Sequence, residues 1–521
     1  MNNLSEKNLK TTNMILILDF GSQVTQLIAR RIRELGVFCE VKNFNISQDE
    51  INKINPRAII LSGGPASVFE ENAPIIDKNI FNLNLPIFGI CYGEQLICHL
   101  LGGKVEKSFE REFGKAEINI IENSPLLSDI VNKQVWMSHG DHISKIPDGF
   151  KAIATTPKAP YAVIANEQKK IYGAQFHPEV VHSLDGKNIL KNFVIKIAGC
   201  VDDWSMKNFK DQEIANIKKI VGQKKVICGL SGGVDSSVTA SLIDQAIGSQ
   251  LTCIFVDHGL LRMNEGQEVR EIFSKNFTGD FIYVDARDLF LKNLSKVSDP
   301  EQKRKIIGKT FIEIFDQEAS KINDAEFLAQ GTLYPDVIES AHPNDGISQT
   351  IKSHHNVGGL PENMQLKLLE PLRMLFKDEV RNLGRQLNLP QKLIGRHPFP
   401  GPGLAIRIIG EISIEKIQIL QEADNIFIEE IRQANLYDEI WQAFCVLLPI
   451  KTVGVMGDAR TYENVLALRA VNSIDGMTAE VYNFEAQFLC KVSNRIINEV
   501  RGINRVVYDY TSKPPGTIEW E

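Results

Sequence analysis

The chain has 521 residues, 43% of them hydrophobic and 24% charged, with a formal net charge of -7. That length suits about three domains of roughly 100–200 residues, and the composition is that of an ordinary globular protein. The negative balance argues against a general nucleic-acid coat. No apolar run reaches the roughly 20 residues needed to span a bilayer, and none of the eight cysteines forms a C-x-x-C pair. A soluble chain in a reducing, cytoplasmic setting follows, with neither membrane nor nucleic acid as a partner.

Residues 1–13 read as a short disordered lead. From Met14, short β-like runs alternate with helical ones. MILILDF is a strand, followed by a helix with Val24, Leu27, Ile28, Ile32 and Leu35 at helical spacing; VFCEVKNF, RAIILSGG and LPIFGI are further strands. This rhythm predicts an α/β unit with a largely parallel sheet over residues 14–203, closed by a helix from Gly186. The polar run DDWSMKNFKDQE reads as a link. A second α/β unit over 204–396 carries the strands KKVICGL, LTCIFVDHGL, FIYVDA and EFLAQGT. The Pro- and Gly-punctuated HPFPGPGLA, from His397, marks a further boundary, leaving 397–521 as a third region.

The run from Gly89 to Gln95, GICYGEQ, puts Cys91 directly after an apolar strand and before a helix. Gly89 and Gly93 permit a sharp turn. A thiol at a helix N-terminus lies where free amides and the helix dipole favour its thiolate. QFHPEV supplies His177 at the end of another strand. Glu179 lies two positions on, on the same side of an extended segment, and can orient the imidazole. In LSGGP, Gly63 and Gly64 can offer amides to an oxyanion, as can Tyr92 after the cysteine. SGGP, GICYGEQ and HPE in that order resemble the class I glutamine amidotransferases. The resemblance implies Cys91 as nucleophile, His177 as general base and acid, Glu179 as the orienting carboxylate, and ammonia as product. His99 reads as structural. His139 and His142, in MSHGDHI, either line the glutamine pocket or are structural.

A second chemical motif, SGGVDSS, follows the strand KKVICGL and opens a helix. A Gly-rich turn at a helix N-terminus cradles phosphate with backbone amides. The G-K-[ST] ending of a Walker A loop is missing. The run instead resembles the pyrophosphate loop of the N-type ATP pyrophosphatases, which adenylate a substrate oxygen. By that resemblance Ser231, Gly232, Gly233, Val234, Asp235, Ser236 and Ser237 meet the phosphates of ATP. Asp235 is a candidate Mg²⁺ ligand, and Lys352 and Lys377 are candidates to neutralise phosphate charge.

Four longer runs, QKRKIIGKTF, IKSHHNVGGLP, RHPFPGPGLAIR and YDYTSKPPGTIEWE, resemble the GMP synthetase family, and the match spans essentially the whole chain. The implied fold is a class I amidotransferase domain, an adenine-nucleotide α-hydrolase-like domain with the pyrophosphate loop, and a smaller α+β C-terminal dimerisation domain. The implied activity makes GMP from XMP, glutamine and Mg-ATP. Arg304, Lys513, Ile518 and Glu519 are then XMP contacts, and a homodimer is implied. RHPFPGPGLA is either a lid over the nucleotide or a rigid turn. Two other readings stay open: another pyrophosphate-loop ligase, such as an NAD synthetase or a tRNA-thiolating enzyme, and a non-catalytic protein that kept the fold.

Overall fold

The computed structural model describes residues 13–22, 24–340, 366–456, 459–473, 476 and 478–521. The lead before Asn13, Lys352 and the IKSHHNVGGLP run lie outside the described residues. Contacts divide the chain into two compact units, one reaching Phe209 and the other starting at Lys210.

The first unit contains β1 (Met14–Asp19), β2 (Phe38–Asn43), β3 (Ala58–Leu61), β4 (Ile87–Ile90), β5 (Lys104–Glu117), β6 (Asn119–Ile120), β7 (Gln134–Lys145), β8 (Lys151–Thr155), β9 (Val163–Asn166) and β10 (Ile171–Ala174). Eight of them form one sheet in the order β2-β1-β3-β4-β10-β9-β8-β6, with β5 and β7 pairing separately. Strands β2, β1, β3, β4 and β10 run parallel, and β9, β8 and β6 extend the sheet antiparallel. Every residue of β1, β3 and β4 is buried, as expected for parallel strands covered on both faces. Leu16, Ile59 and Leu61 pack with Leu96 and Ile97 of the helix that follows Cys91.

The polar run read as a link is partly structured. Trp204 donates its backbone N–H to the Gly36 carbonyl at 2.8 Å, packs on Phe38 and takes the Arg33 guanidinium 4.6 Å above its ring. A helix, Met206–Val221, starts two residues later. An aromatic side chain with a cationic partner thus anchors the end of the first unit.

In the second unit, β11 (Lys225–Leu230), β12 (Leu251–Asp257), β13 (Asp280–Asp285), β14 (Ala325–Ala329) and β15 (Lys367–Leu369) form a parallel sheet in the order β13-β12-β11-β14-β15. Chain order reverses between β11 and β14, and ligands of open α/β sheets bind outside the strand ends at such a switch point. A further sheet holds β16 (Gln442–Met456), β17 (Ala459–Asn472), β18 (Glu480–Val481) and β19 (Ile503–Tyr508), with β17 between β16 and β19. One continuous apolar cluster joins Ile227 and Ile254 of the parallel sheet to Leu420 and Phe427 of helix Ile414–Gln433 and to Leu466 and Leu468 of β17. The C-terminal sheet is therefore built onto the core of the pyrophosphate-loop region.

Candidate active sites

In the first unit, the chain leaves β4 and reverses at Cys91, which has φ 53° and ψ -104°, before helix Tyr92–Leu101. A positive φ is strained for a residue with a side chain. It is held here by a hydrogen bond from the Cys91 N–H to the Ala174 carbonyl at 2.7 Å and by close packing of glycines. A Cβ at Gly93 would lie 2.4 Å from the Leu61 carbonyl oxygen, and one at Gly89 would lie 2.5 Å from the Gly93 backbone. These two positions therefore exclude any side chain.

His177 Nδ1 lies 2.7 Å from Glu179 Oε1, and the imidazole hydrogen-bonds Cys91 as well. The pairing comes about differently from the sequence expectation. The strand ends at Ala174, and His177 and Glu179 sit in a turn, not an extended segment. The His177 N–H donates to the Trp136 carbonyl at 3.0 Å, and the Ser183 hydroxyl bonds the His177 carbonyl at 2.6 Å, which fixes the turn. Burial pushes His177 down, but the fully buried Glu179 carboxylate and the hydrogen bonds to Cys91 and Glu179 outweigh it and raise the imidazole to about 11. Glu94, fully buried in the first turn of the helix, is pushed well above the usual carboxylate range by burial and by the charge on Cys91.

Gly63 closes the other side of the site: a Cβ on it would lie 3.1 Å from the His177 ring and 3.8 Å from Cys91 Cβ. The Ser62 hydroxyl donates to the Gly63 carbonyl at 2.8 Å. In a trans peptide this turns the Gly64 N–H the opposite way. The Tyr92 hydroxyl is occupied by the Pro74 carbonyl at 3.0 Å, so its candidate oxyanion donor is the backbone N–H. As the first helical residue, that amide has no acceptor within the helix. Cys91 Sγ lies 3.6 Å from the Ser138 carbonyl on β7, so MSHGDHI does border the nucleophile. The His139 ring turns instead to the Asp141 carbonyl at 2.9 Å and to Glu112, and burial pushes it down. One residue missed in the sequence also reaches the sulfur. Gln175 Nε2 lies 3.8 Å from Cys91 Sγ, and Gln95 links Gln175 to the Asp141 carbonyl.

In the second unit, β11 runs into Ser231 at the switch point, and Gly233 caps helix Val234–Ile247. The loop closes on itself. Ser231 N–H donates to Ser236 Oγ at 3.2 Å, Gly233 N–H donates to Ser231 Oγ at 3.3 Å, and the Ser236 hydroxyl donates to the Gly233 carbonyl at 3.1 Å. Val234 and Ser237 are buried beneath it, so Val234 can offer only its amide. Asp235 Oδ2 is paired with Lys377 Nζ at 2.5 Å, whereas its buried Oδ1 has no hydrogen-bond partner among the described residues. A Cβ on Gly331, just past β14, would lie 3.3 Å from the Asp235 backbone, so the second wall of the crevice is close.

The C-terminal candidates meet the chain itself. Glu519 accepts from Arg407 at 2.7 and 3.0 Å and from Gln442 at 2.7 Å. Arg304 donates to the Glu521 carbonyl at 2.6 Å, and its neighbour Lys303, wholly buried, pairs with the Glu521 carboxylate at 2.7 Å. Lys513 Nζ bonds the Gly476 carbonyl at 2.8 Å, and Ile518 is buried beside Phe444 and Ala479. Wholly buried Arg469 takes the carbonyls of Thr511, Thr517 and Ile518. The segment from Arg396 to Arg407 is tied down rather than free. His397 stacks on Tyr437 and accepts from the Ala443 N–H, and a Cβ on Gly403 would lie 2.2 Å from the Leu260 carbonyl. In this structure the run is anchored by these contacts.

A cysteine–histidine–glutamate elbow on one unit and a lysine-free phosphate loop on the other define a glutamine amidotransferase joined to a pyrophosphate-loop synthetase. Residues 16–197 match the family model of class-I glutamine amidotransferases, 207–299 that of NAD synthase, and 429–520 that of the GMP synthase C-terminal domain. The glutamine-hydrolysing GMP synthase of Bartonella henselae is 59% identical over 98% of this chain and 99% of its own length. That of Phenylobacterium zucineum is 60% identical over 97% and 98%. The chain belongs to the family of glutamine-hydrolysing GMP synthases.

The His177 pair fixes a direction of pH dependence. Its folded value lies above the roughly 6.5 of a free histidine. The ion pair therefore contributes fully below about pH 6.5 and is lost as pH rises toward about 11. In an NMR titration of the histidine ring, His177 is expected to stay protonated past about pH 8, and Glu179→Gln to bring its titration down toward the neutral range. A wild-type ring titrating near 6.5 would contradict the pairing.

Proposed function

We propose that the protein makes GMP from XMP, with ammonia that its first unit frees from glutamine. Two features on one chain carry this reading: the 2.7 Å His177–Glu179 pair beside Cys91, and a pyrophosphate loop without a Walker lysine. Cys91 Sγ attacks the glutamine side-chain carbonyl, the oxyanion takes amides from Gly63, Gly64 and Tyr92, and His177 protonates the departing ammonia. Part of what holds His177 charged is Cys91 itself. Once the sulfur is acylated that support is gone, so the imidazole falls toward neutrality and can take a proton from the water that releases glutamate.

At the second site, the XMP carbonyl oxygen attacks the α-phosphorus of ATP and expels pyrophosphate. Ammonia then displaces AMP from the purine carbon. The serine hydroxyls and amides of the loop exchange their mutual bonds for phosphate oxygens, and Lys377 moves from Asp235 to phosphate charge. Asp235 Oδ1, buried with no hydrogen-bond partner among the described residues, suits a cation shared with phosphate oxygens. Among the described residues no group of three or more His, Cys, Asp or Glu could cage a metal. Mg²⁺ bound there would screen the phosphate charge. Arg304, Lys513, Ile518 and Glu519 are proposed around XMP. The tail contacts of Arg407 and Arg469 support that reading, because they hold this segment in a single place. All eight cysteines are free, in keeping with a cytoplasmic setting that cell fractionation tests.

The outer half of the β16–β17 hairpin exposes Ile450, Val453, Val455 and Tyr462, an apolar stripe that suits a second copy of the chain. Light scattering is expected to give twice the 58.4 kDa chain mass, and Val455→Lys to shift it toward the monomer. A wild-type monomer would count against the dimer.

The division of labour is tested by two substitutions. Cys91→Ala is expected to stop GMP formation from glutamine and to spare formation from ammonium salt; Asp235→Ala is expected to stop both, by about 100-fold or more. Loss of ammonium-driven synthesis in Cys91→Ala would contradict two separable sites.

A further inference from the structure

Arg396 opens the tied-down run that leads to the C-terminal sheet, and the sequence gives it no role of its own at the nucleotide site. Its Nη1 donates to the carbonyl oxygen of Gly232, inside the pyrophosphate loop, at 3.1 Å. The same Nη1 also donates to Glu265 at 2.9 Å, and Nη2 donates to Glu268 at 2.9 Å, both glutamates in the first turn of helix Glu265–Asn276. Lys392 in turn pairs with Glu268. The arginine side chain is 12% exposed, so its bonds are largely shielded from water.

Gly232 has φ +76°, and a Cβ there would lie 3.2 Å from Val269. A glycine at such a position has many accessible conformations, and something must select one. In the trans peptide joining Gly232 to Gly233 the carbonyl and the N–H point in opposite directions. Drawing the carbonyl toward Arg396 therefore turns the Gly233 N–H into the loop, where it now meets Ser231 Oγ at 3.3 Å. A phosphate oxygen can replace that hydroxyl as acceptor. The same run ends at Arg407, which holds Glu519.

We propose that Arg396 is a positioning residue for ATP: its bond to the Gly232 carbonyl sets the peptide that presents the Gly233 N–H to the pyrophosphate moiety. This rests on the loop binding pyrophosphate as read above. The guanidinium acts through the backbone, with its positive charge already balanced by Glu265 and Glu268.

The test uses the full-length protein. Binding of inorganic pyrophosphate and of Mg-ATP is measured by calorimetry, and KM for ATP and XMP is measured separately, for the wild type, Arg396→Gln, Arg396→Lys and Glu268→Gln. Arg396→Gln is expected to weaken pyrophosphate and raise KM for ATP about 10- to 100-fold, the worth of one charge-assisted hydrogen bond. KM for XMP should stay within about twofold and the melting temperature nearly unchanged. Arg396→Lys keeps the charge but lacks the fork that reaches three acceptors, so it restores only part of the affinity. Glu268→Gln leaves the Gly232 bond in place and is expected to have the smallest effect. Unchanged pyrophosphate affinity in Arg396→Gln overturns the proposal. So does a parallel loss of ATP, XMP and melting temperature, which marks a merely structural brace. If Arg396→Gln does not fold, Arg396→Lys against Glu268→Gln decides by the same order of effects. A wild type that binds no pyrophosphate removes the loop reading itself, and this inference with it.

Discussion

Parallel β-strands all release the chain at one edge of the sheet, and that constraint governs both sites. A strand that turns at once into a helix leaves a single residue, or a short loop, facing a set of helix amides with no internal acceptor. Cys91 follows β4 in this way, and the serine–glycine loop follows β11. The glycines beside Cys91 make the first turn possible, since Gly93 packs its backbone against the Leu61 carbonyl of the neighbouring strand. Gly232 and Gly233 let the second loop curl so that its hydroxyls and amides satisfy one another.

Charge is handled differently at the two places. Around Cys91, the buried carboxylate of Glu179 raises the imidazole of His177, and burial raises Glu94 well above the usual carboxylate range. The site thus carries one cation whose strength depends on whether the sulfur is charged. Around the phosphate loop, cations are stored in ion pairs: Lys377 with Asp235, Arg396 with Glu265 and Glu268. In each of these pairs the cation is balanced by a carboxylate of the protein itself. The C-terminal tail follows the same logic, with wholly buried Arg407 and Arg469 each matched by tail carboxylates or carbonyls.

Much of this was legible in the sequence, because period and punctuation are local signals. The strands from Met14, Leu85, Ile171, Lys224 and Leu251 appear where apolar runs meet turns. Cys91 follows the one from Leu85, His177 and Glu179 the one from Ile171, and the serine–glycine loop the one from Lys224. The turn that couples His177 to Glu179 was not legible, because it depends on the distant Trp136 carbonyl accepting from the His177 N–H and on the Ser183 hydroxyl bonding back to His177. Arg396, Arg407, Gln442 and Arg469 escaped for the same reason: an arginine's partner is a matter of packing, and its spacing in the chain carries no signal. The Pro- and Gly-rich run admitted both a lid and a rigid turn, and its contacts with Leu260 and Tyr437 were not legible.

The central claim is that the purine oxygen is converted into a leaving group by adenylation before ammonia arrives. Its most direct test is to supply XMP carrying ¹⁸O on the carbon that receives the amino group, with ATP, Mg²⁺ and glutamine, and to weigh the products by mass spectrometry. The account predicts one heavy oxygen in the phosphate of AMP for each GMP formed, and none in pyrophosphate. Heavy oxygen appearing in pyrophosphate or released to water would contradict it.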